Sequence, residues 1–346
     1  MTTLGAVYLE AGLLSRLGGK VKELSGSIQT VAIVTDDTVK DLYLRPAIDS
    51  FERAGLRPLC FSIPPGEESK SAAMYIALLN WLAESRLTRT DAIAALGGGV
   101  VGDLAGFAAA TYLRGIPLVQ IPTTLLAMVD SSIGGKTGID LPAGKNLAGA
   151  FYQPLATFCD PELLAPLPPE VLTDGWAEAV KYGMIRSAPL LESLSSSLLL
   201  APNAEIIKTC IGIKQDIVQR DEFDTGERQL LNFGHTVGHA IETLSGYTVS
   251  HGRAVAIGMS VITRAAVRKG LCPPECQTAL ERALAVFGLP QQTDYSPAAL
   301  YEASLSDKKR AGGAITEIIP RAAGECVLHK MPSGELLDWI TLGVQP

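Results

Sequence analysis

A short apolar run followed at once by closely spaced glycines constrains the fold of this 346-residue chain more than any other feature. Asp91–Leu96 (DAIAAL) has the length of a buried strand, and Gly97, Gly99 and Gly102 follow at the G-x-G-x-x-G spacing before a small-residue helix at Leu104–Ala110. Strand, glycine turn and helix form the context in which a dinucleotide fingerprint works. Glycine lets backbone approach a pyrophosphate, and the helix N-terminus offers it free N–H groups. Two features depart from an ordinary Rossmann site: no acidic residue stands ~20 positions on, and about a hundred residues precede the glycines. A tight turn without a ligand is the alternative that the glycines alone leave open.

Pro117–Pro122 (PLVQIP) is a second buried strand, ending directly in Thr123 and Thr124. In open α/β sheets, ligands bind at that carboxyl end. Asp130, Lys136, Lys145 and Asn146 then follow among glycines, too charged for a core and too glycine-rich for a solvated helix. A loop of this kind touches a ligand. Gly135, Lys136 and Thr137 imitate the end of a P-loop, but Asp130 stands where its first glycine belongs, which excludes that motif. Upstream, Val31–Thr35 is a strand, Asp36 and Asp37 cap a helix over Thr38–Ala54, and Pro58–Ile63 is a further strand. The segment PPGEESK, with Glu67 and Lys70, reads locally as a turn with a capped helix start at Ser69, ahead of an amphipathic helix at Ala72–Glu84. Three strand–helix alternations before the glycines are the pattern of a parallel, doubly wound sheet.

A net charge of −7 argues against nucleic acid or an anionic membrane as the main partner. No apolar run approaches the ~18 residues of a membrane span, and the N-terminus lacks a signal peptide's basic region and apolar core, so a cytoplasmic protein is expected. Six scattered cysteines do not make a disulfide framework, and Cys272 and Cys276 lack a second pair to complete a zinc site.

After Phe151 strands fade and helical periodicity takes over. The proline-rich segment Pro161–Pro169 is the natural hinge between a nucleotide-type α/β domain, residues 1–160, and a mainly helical domain, residues 161–346, with the cleft between them as the default site. In Gly175–Ile185, helical spacing puts Glu178 and Lys181 on one face, where an exposed ion pair is the plain alternative. In Ala204–Arg220, Lys214 interrupts the apolar stripe Ile207, Cys210, Ile211, Ile217, Val218, so its ammonium must meet an anion or a polar cavity, with snorkelling to solvent as the plain alternative. Three of the four histidines, His235, His239 and His251, fall close together. Two imidazoles and a carboxylate make a catalytic zinc site with an open position. From spacing alone the pair could equally be His235 with His239, one helical turn apart. Arg228 and Asn232 precede His235 and add an anion clamp and an amide donor. Ser306–Gly313 brings Lys308 and Lys309 beside a glycine turn, before a strand at Ala314–Pro320.

Taken together, GGGVVGDLAGFAAATYLRG, IPTTLLAMVDSSIGGKTGID, GKNLAGAFYQP, GWAEAVKYGMI, LLNFGHTVGHAIE, HGRAVAIGM and DKK, in that order from about Val31 to Glu325, resemble the 3-dehydroquinate synthase family of sugar-phosphate cyclases. The resemblance implies a Rossmann-like NAD domain followed by a mainly helical metal and substrate domain, bound NAD, and Zn2+ or Co2+. It implies Glu178, His235 and His251 as metal ligands. NAD would be met by Asp36, Glu67, Lys70, Gly98, Gly99, Val100, Gly102, Asp103, Thr123, Thr124, Lys136 and Lys145. Substrate would be held by Asp130, Lys136, Asn146, Lys181, Lys214, Arg228, Asn232, His239 and Lys308, with Arg114 supplied across a homodimer. Two positions depart from the family pattern: Pro166 where threonine is frequent, and Ser187 where aspartate is.

The implied reaction converts 3-deoxy-D-arabino-heptulosonate 7-phosphate to 3-dehydroquinate and phosphate through transient oxidation by NAD, phosphate elimination, re-reduction and intramolecular aldol closure. Such a substrate needs many cations on an acidic chain, and the buried Lys214 finds its anion. The rivals are a cyclase forming 2-deoxy-scyllo-inosose or an epi-valiolone, a metal-dependent glycerol-type dehydrogenase, and a non-catalytic NAD or metal sensor.

Overall fold

The computed structural model describes residues 4–196, 203–308 and 313–345 and shows two compact units. Described residues up to Leu167, with Asn203–Gln215, form the first; those from Pro168 onward, apart from that segment, form the second. The first unit contains β1 (Ala6–Leu9), α1 (Leu17–Leu24), β2 (Thr30–Asp36), α2 (Asp37–Val39), α3 (Arg45–Arg53), β3 (Arg57–Ile63), α4 (Ala72–Glu84), β4 (Ala92–Gly97), α5 (Gly99–Thr111) and β5 (Leu118–Pro122). The hairpin β6 (Lys136–Leu141) and β7 (Gly144–Phe151) follows, then β8 (Ala156–Cys159).

Six of these strands make one parallel sheet in the order β1-β8-β5-β4-β2-β3. Val31–Val34 in β2 and Ala92–Leu96 in β4 are buried throughout, because both faces of a parallel sheet are covered. That is why the sequence there runs apolar without alternation. The expected α/β class is therefore observed, with three corrections. The fading of strands after Phe151 misses β8, whose four residues are too few to show a period; β1, an edge strand of four residues that pairs with β8, likewise goes unread. The loop expected around Lys136–Asn146 is the antiparallel hairpin β6–β7, where Gly138 lies opposite Gly149 and the glycines hide the alternation. Helix α5 starts at Gly99, with Gly98 as its cap, rather than at Leu104: the glycines form its first turn.

The chain continues as α6 (Pro169–Arg186), α7 (Ala188–Leu194), α8 (Ala204–Arg220), α9 (His235–Leu244), α10 (His251–Arg268), α11 (Pro274–Val286) and α12 (Pro297–Lys308). The antiparallel hairpin β9 (Ala314–Ala322) and β10 (Glu325–Pro332) and the final helix α13 (Leu336–Val344) complete it. Helix α10 is the axis of the second unit: every residue from Ala254 to Ala266 is buried. A helix buried on every face is enclosed by its neighbours, and its buried Arg264 donates to the Gly343 carbonyl at 2.8 Å. Its neighbours come very close, since a Cβ at Gly258 would lie 1.9 Å from the Gly234 carbonyl oxygen before α9, and one at Gly252 would lie 2.4 Å from the Asp174 backbone in α6. The six cysteines are unbridged, and Cys272 and Cys276 belong to no metal-ligating group among the described residues. Among the described residues no helix is long and apolar enough to cross a membrane.

Two stability predictions follow from this packing. Gly258→Ala has no room for its methyl and should destabilise the protein by about 1–3 kcal/mol, as overpacking does. Gly19→Ala, exposed in α1 with nothing near its Cβ, should stabilise by about 0.5–1 kcal/mol; urea unfolding of the pair measures both. Asp91 ties the start of β2 to the turn before β4: its carboxylate accepts from the Thr30 N–H at 2.8 Å and from the Thr88 N–H and hydroxyl, each at 2.8 Å. Burial alone would raise its pKa, but these hydrogen bonds outweigh it and hold the carboxyl below the ordinary 3.8. A pKa depressed by folding gives stability that is present above the unfolded value and lost as pH falls through the folded one. The stability gap between wild type and Asp91→Asn should therefore be widest above about pH 5 and shrink on acidification.

Candidate metal and substrate site

In the second unit, Glu178 and Lys181 stand one turn apart on α6 and are 0% and 1% exposed, with the Lys181 ammonium paired to Glu178 Oε2. The exposed ion pair that their spacing allows is thus replaced by a buried one. His235 opens α9 and His251 opens α10. Their Nε2 atoms lie 3.8 and 3.5 Å from Glu178 Oε1, and one ligand atom from each of the three residues falls within 4.8 Å of the others. Each Nδ1 has an acceptor: the Phe233 carbonyl at 3.1 Å for His235, and Glu242 Oε2 at 3.3 Å for His251.

The two imidazoles differ electrostatically. Burial, and then the charge of Lys181, push His235 well below the ordinary imidazole value, so it is neutral with a free lone pair. Burial acts in the same direction on His251, but hydrogen bonds and charges from Glu178 and Glu242 outweigh it and raise its pKa to about 10. A cation bound at Nε2 displaces that proton. Two nitrogens and a carboxylate, with both Nδ1 atoms occupied elsewhere, fit a divalent ion of zinc type. The alternative pairing of His235 with His239 is not the set grouped around Glu178. The His239 ring lies 5.4 Å from that of His235 and 6.2 Å from that of His251, and His239, Glu242 and His251 form a second compact group.

Arg228 is 1% exposed in the turn Glu227–Asn232, which also carries the half-buried Asn232. Its backbone N–H donates to Asp221 Oδ2 at 3.0 Å and its guanidinium to the Glu222 carbonyl. Lys308 ends α12 with its side chain outside the described residues, as is all of Lys309.

In the first unit, the phosphate-type elements lie at the carboxyl ends of neighbouring strands. Gly98, Gly99, Val100, Gly102 and Asp103 lie in the first turns of α5 after β4; Thr123 and Thr124 follow β5; Asp36 ends β2 and accepts from the Val39 N–H at 2.9 Å. The Thr123 N–H donates to the Gly97 carbonyl at 3.0 Å, and its buried hydroxyl has no hydrogen-bond partner among the described residues. The Thr124 hydroxyl accepts from the Ala127 N–H at 3.1 Å. PPGEESK is more than the turn its local sequence suggests: Ser71, not Ser69, caps α4, and Lys70 is buried. The Lys70 ammonium lies 2.6 Å from Asp103 Oδ2 and 2.5 Å from Asn146 Oδ1, and the carboxylates around it push its pKa up against the opposing effect of burial. Lys145 pairs with Glu67 at 3.4 Å. Lys214 meets its anion inside the protein: its Nζ donates to Asp130 Oδ1 at 2.8 Å and to the Asp130 carbonyl at 2.7 Å. Lys136 opens β6 and is exposed, as is Arg114 in the turn after α5.

Comparison with known proteins turns these sets into a family assignment. A family profile described as 3-dehydroquinate synthase N-terminal matches residues 60–174, and one described as 3-dehydroquinate synthase C-terminal matches residues 175–310. The chain belongs to the 3-dehydroquinate synthase family. A 3-dehydroquinate synthase of Geobacter metallireducens is 45% identical over 96% of this chain and 95% of its own length. One of Enterococcus faecalis is 44% identical over 95% and 93%. Among solved structures, a 2-deoxy-scyllo-inosose synthase complexed with carbaglucose-6-phosphate, NAD+ and Co2+ superposes with a TM-score of 0.88 at 25% identity, over 99% of this chain and 100% of that one. A 2-epi-5-epi-valiolone synthase from Streptomyces hygroscopicus with NAD+ and Zn2+ bound gives the same score and identity over 99% and 97%. An NADH-dependent butanol dehydrogenase of Thermotoga maritima, at a TM-score of 0.69 and 14% identity over 100% and 98%, shares the fold alone.

Against the family motifs, three carboxylates went unread in the sequence. Glu242 follows His239 by three positions on α9, a spacing that puts both on one face and could have revealed it. Asp140 accepts from the Asn146 N–H at 2.7 Å while its own N–H donates to the Lys70 carbonyl at 2.8 Å. Asp174 accepts from the Ser250 hydroxyl at 2.6 Å, beside the start of α10. Lys70 and Ser250, the remote partners of the last two, are too far away in sequence to be inferred.

Metal titration checks the donor set. Zn2+ at 100 times its dissociation constant should stabilise the protein by about 2.7 kcal/mol, seen as a rise in Tm. His251→Ala should lose that rise while keeping the metal-free fold.

Proposed function

We infer that the chain is a 3-dehydroquinate synthase: it converts 3-deoxy-D-arabino-heptulosonate 7-phosphate to 3-dehydroquinate and phosphate. The reading is carried by one observation, the grouping of Glu178, His235 and His251 beside the fully buried Lys181. Relatives of that name at 42–45% identity over nearly the whole chain support this substrate over the carboxylate-free ones of the other cyclases. When bound, NAD takes up and returns a hydride, and a divalent ion held by Glu178, His235 and His251 polarises the hydroxyl being oxidised.

The chain's own residues bind, orient and neutralise. Gly98, Gly99, Val100 and Gly102 at the start of α5 offer backbone to the dinucleotide phosphates, and the Thr123 hydroxyl supplies an unused polar group there. Asp36, Glu67, Lys70, Asp103, Thr124, Lys136 and Lys145 complete the NAD side in this reading. In this reading Asp130, Lys136, Asn146, Lys181, Lys214, Arg228, Asn232, His239 and Lys308 hold the substrate's carboxylate, phosphate and hydroxyls. Lys214 and Lys181 are already aligned by Asp130 and Glu178, so they need little reorganisation to meet a substrate anion. A cytoplasmic homodimer in which Arg114 reaches the partner's substrate belongs to the same proposal, as does the division into an NAD domain at 1–160 and a metal and substrate domain at 161–346.

Phosphate release and absorbance at 340 nm, followed together with NAD, Zn2+ and the heptulosonate phosphate, test the reaction. Phosphate should appear without net NADH, and a chelator should stop it. Steady NADH growth would instead make the chain a dehydrogenase, and silence would point to a carboxylate-free sugar phosphate. Lys181→Met should lower kcat/KM by a factor of about 100 or more, the equivalent of losing one charge-assisted contact of about 3 kcal/mol.

A further inference from the structure

Glu242 lies outside the donor set around Glu178, yet it is 3% exposed and its carboxylate lies 3.3 Å from Nδ1 of His251, where His235 has a backbone carbonyl instead. We propose that Glu242 is a positioning residue for the metal site: its carboxylate holds the Nδ1–H of His251 and so turns the Nε2 lone pair of that ring toward Glu178. The inference rests on reading Glu178, His235 and His251 as the metal ligands.

The argument is one of proton accounting. A neutral imidazole has one N–H and one lone pair, and an ionised carboxylate only accepts. Once a cation has displaced the Nε2 proton, Glu242 Oε2, 3.3 Å from Nδ1, keeps the remaining proton there and leaves the lone pair at Nε2, on the side where Glu178 Oε1 lies 3.5 Å away. His235 is set in the same way by the Phe233 carbonyl at 3.1 Å, which leaves its Nε2 facing the same oxygen. The two histidines thus have the same tautomer from different acceptors. Only that of His251 carries charge, and an anionic acceptor makes its imidazole the more basic donor.

The placement of Glu242 is secured by its helix. It lies on α9, which begins with His235, so one element carries a metal ligand and the residue that orients another. Its carbonyl accepts from the Tyr247 N–H at 2.8 Å and the Ser245 hydroxyl at 2.9 Å, which closes the end of that helix. The compact group His239, Glu242 and His251 offers a second set of donors. It competes with the first, because a His251 lone pair turned to Nδ1 puts a proton at Nε2, facing Glu178. The two sets cannot both use a neutral His251, and Glu242 serves as orienter in one and as ligand in the other.

The experiment measures Zn2+ affinity by competition with a chromophoric chelator on the full chain, for wild type, Glu242→Gln, Glu242→Ala, Glu178→Gln and His251→Ala. Metal-free Tm and the visible spectrum of the Co2+ form are recorded for each. Both Glu242 variants should bind Zn2+ about 10–100-fold more weakly, with the Co2+ spectrum still showing the wild-type coordination number. Glutamine suffers because its amide can donate to Nδ1 and so favour the wrong tautomer. Glu178→Gln and His251→Ala should lose far more. If Glu242→Ala does not fold, Glu242→Gln decides alone. Wild-type affinity in the Glu242 variants overturns the proposal. So does a loss in Glu242→Gln as deep as in His251→Ala while Glu178→Gln still binds, since Glu242 is then a ligand. Wild-type affinity in His251→Ala would remove the metal-site reading itself, and this inference with it.

Discussion

Charge withheld from water is the constraint on which the rest of this structure depends. Glu178, Lys181, Arg228, Lys70 and Lys214 are almost wholly buried, and an isolated ion in such surroundings costs several kcal/mol. Each is placed against opposite charge or a carbonyl: Lys181 against Glu178, Lys214 against Asp130, Lys70 against Asp103 and Asn146, Arg228 against the Glu222 carbonyl. A buried pair adds little net stability, and replacing it by packed apolar residues is often neutral or better. The apolar bulk of the two units, and not the buried ions, therefore carries the stability.

The sheet of the first unit shows how that placement is achieved. Strands β2, β4 and β5 are neighbours, and Asp36, Gly97 and Pro122 end them on the same edge. Parallel order places successive loops side by side, so short segments far apart in sequence deliver Asp36, the α5 glycines and Thr123 together. The β6–β7 hairpin adds Asn146, held at φ 54° with its N–H on Asp140 and its side chain on Lys70. Left-handed backbone is open to asparagine at modest cost, and here the two hydrogen bonds fix it.

How much of this was legible in the sequence depended on range. The parallel sheet could be read because β2, β4 and β5 are continuous apolar runs, and Lys214 because it interrupts an otherwise apolar stripe whose members are all buried. The histidine cluster was visible, but the choice of His251 over His239 came from family resemblance, since spacing favours neighbours on one helix. What stayed hidden required a partner from elsewhere in the chain. Lys70 looks like turn charge until Asp103 and Asn146 are placed around it. The β6–β7 pairing was masked by glycines, and β8 by its four-residue length. Glu178 and Lys181 have the spacing of a surface pair, and only the packing of α6 against α10 shows that they are inside.

The near-contact of α10 with both of its neighbours has a mechanical meaning. Helix α6 carries Glu178 and touches α10 at Gly252; α9 begins with His235 and meets α10 at Gly258; α10 itself begins with His251. With no side chain between the backbones at either contact, the helices have no slack along which one could slide past another. Glu178, His235 and His251 are thus fixed in backbone position relative to one another. The spacing of their ligand atoms can therefore change through the few torsions of two imidazoles and one carboxylate, and not by the drift of one helix.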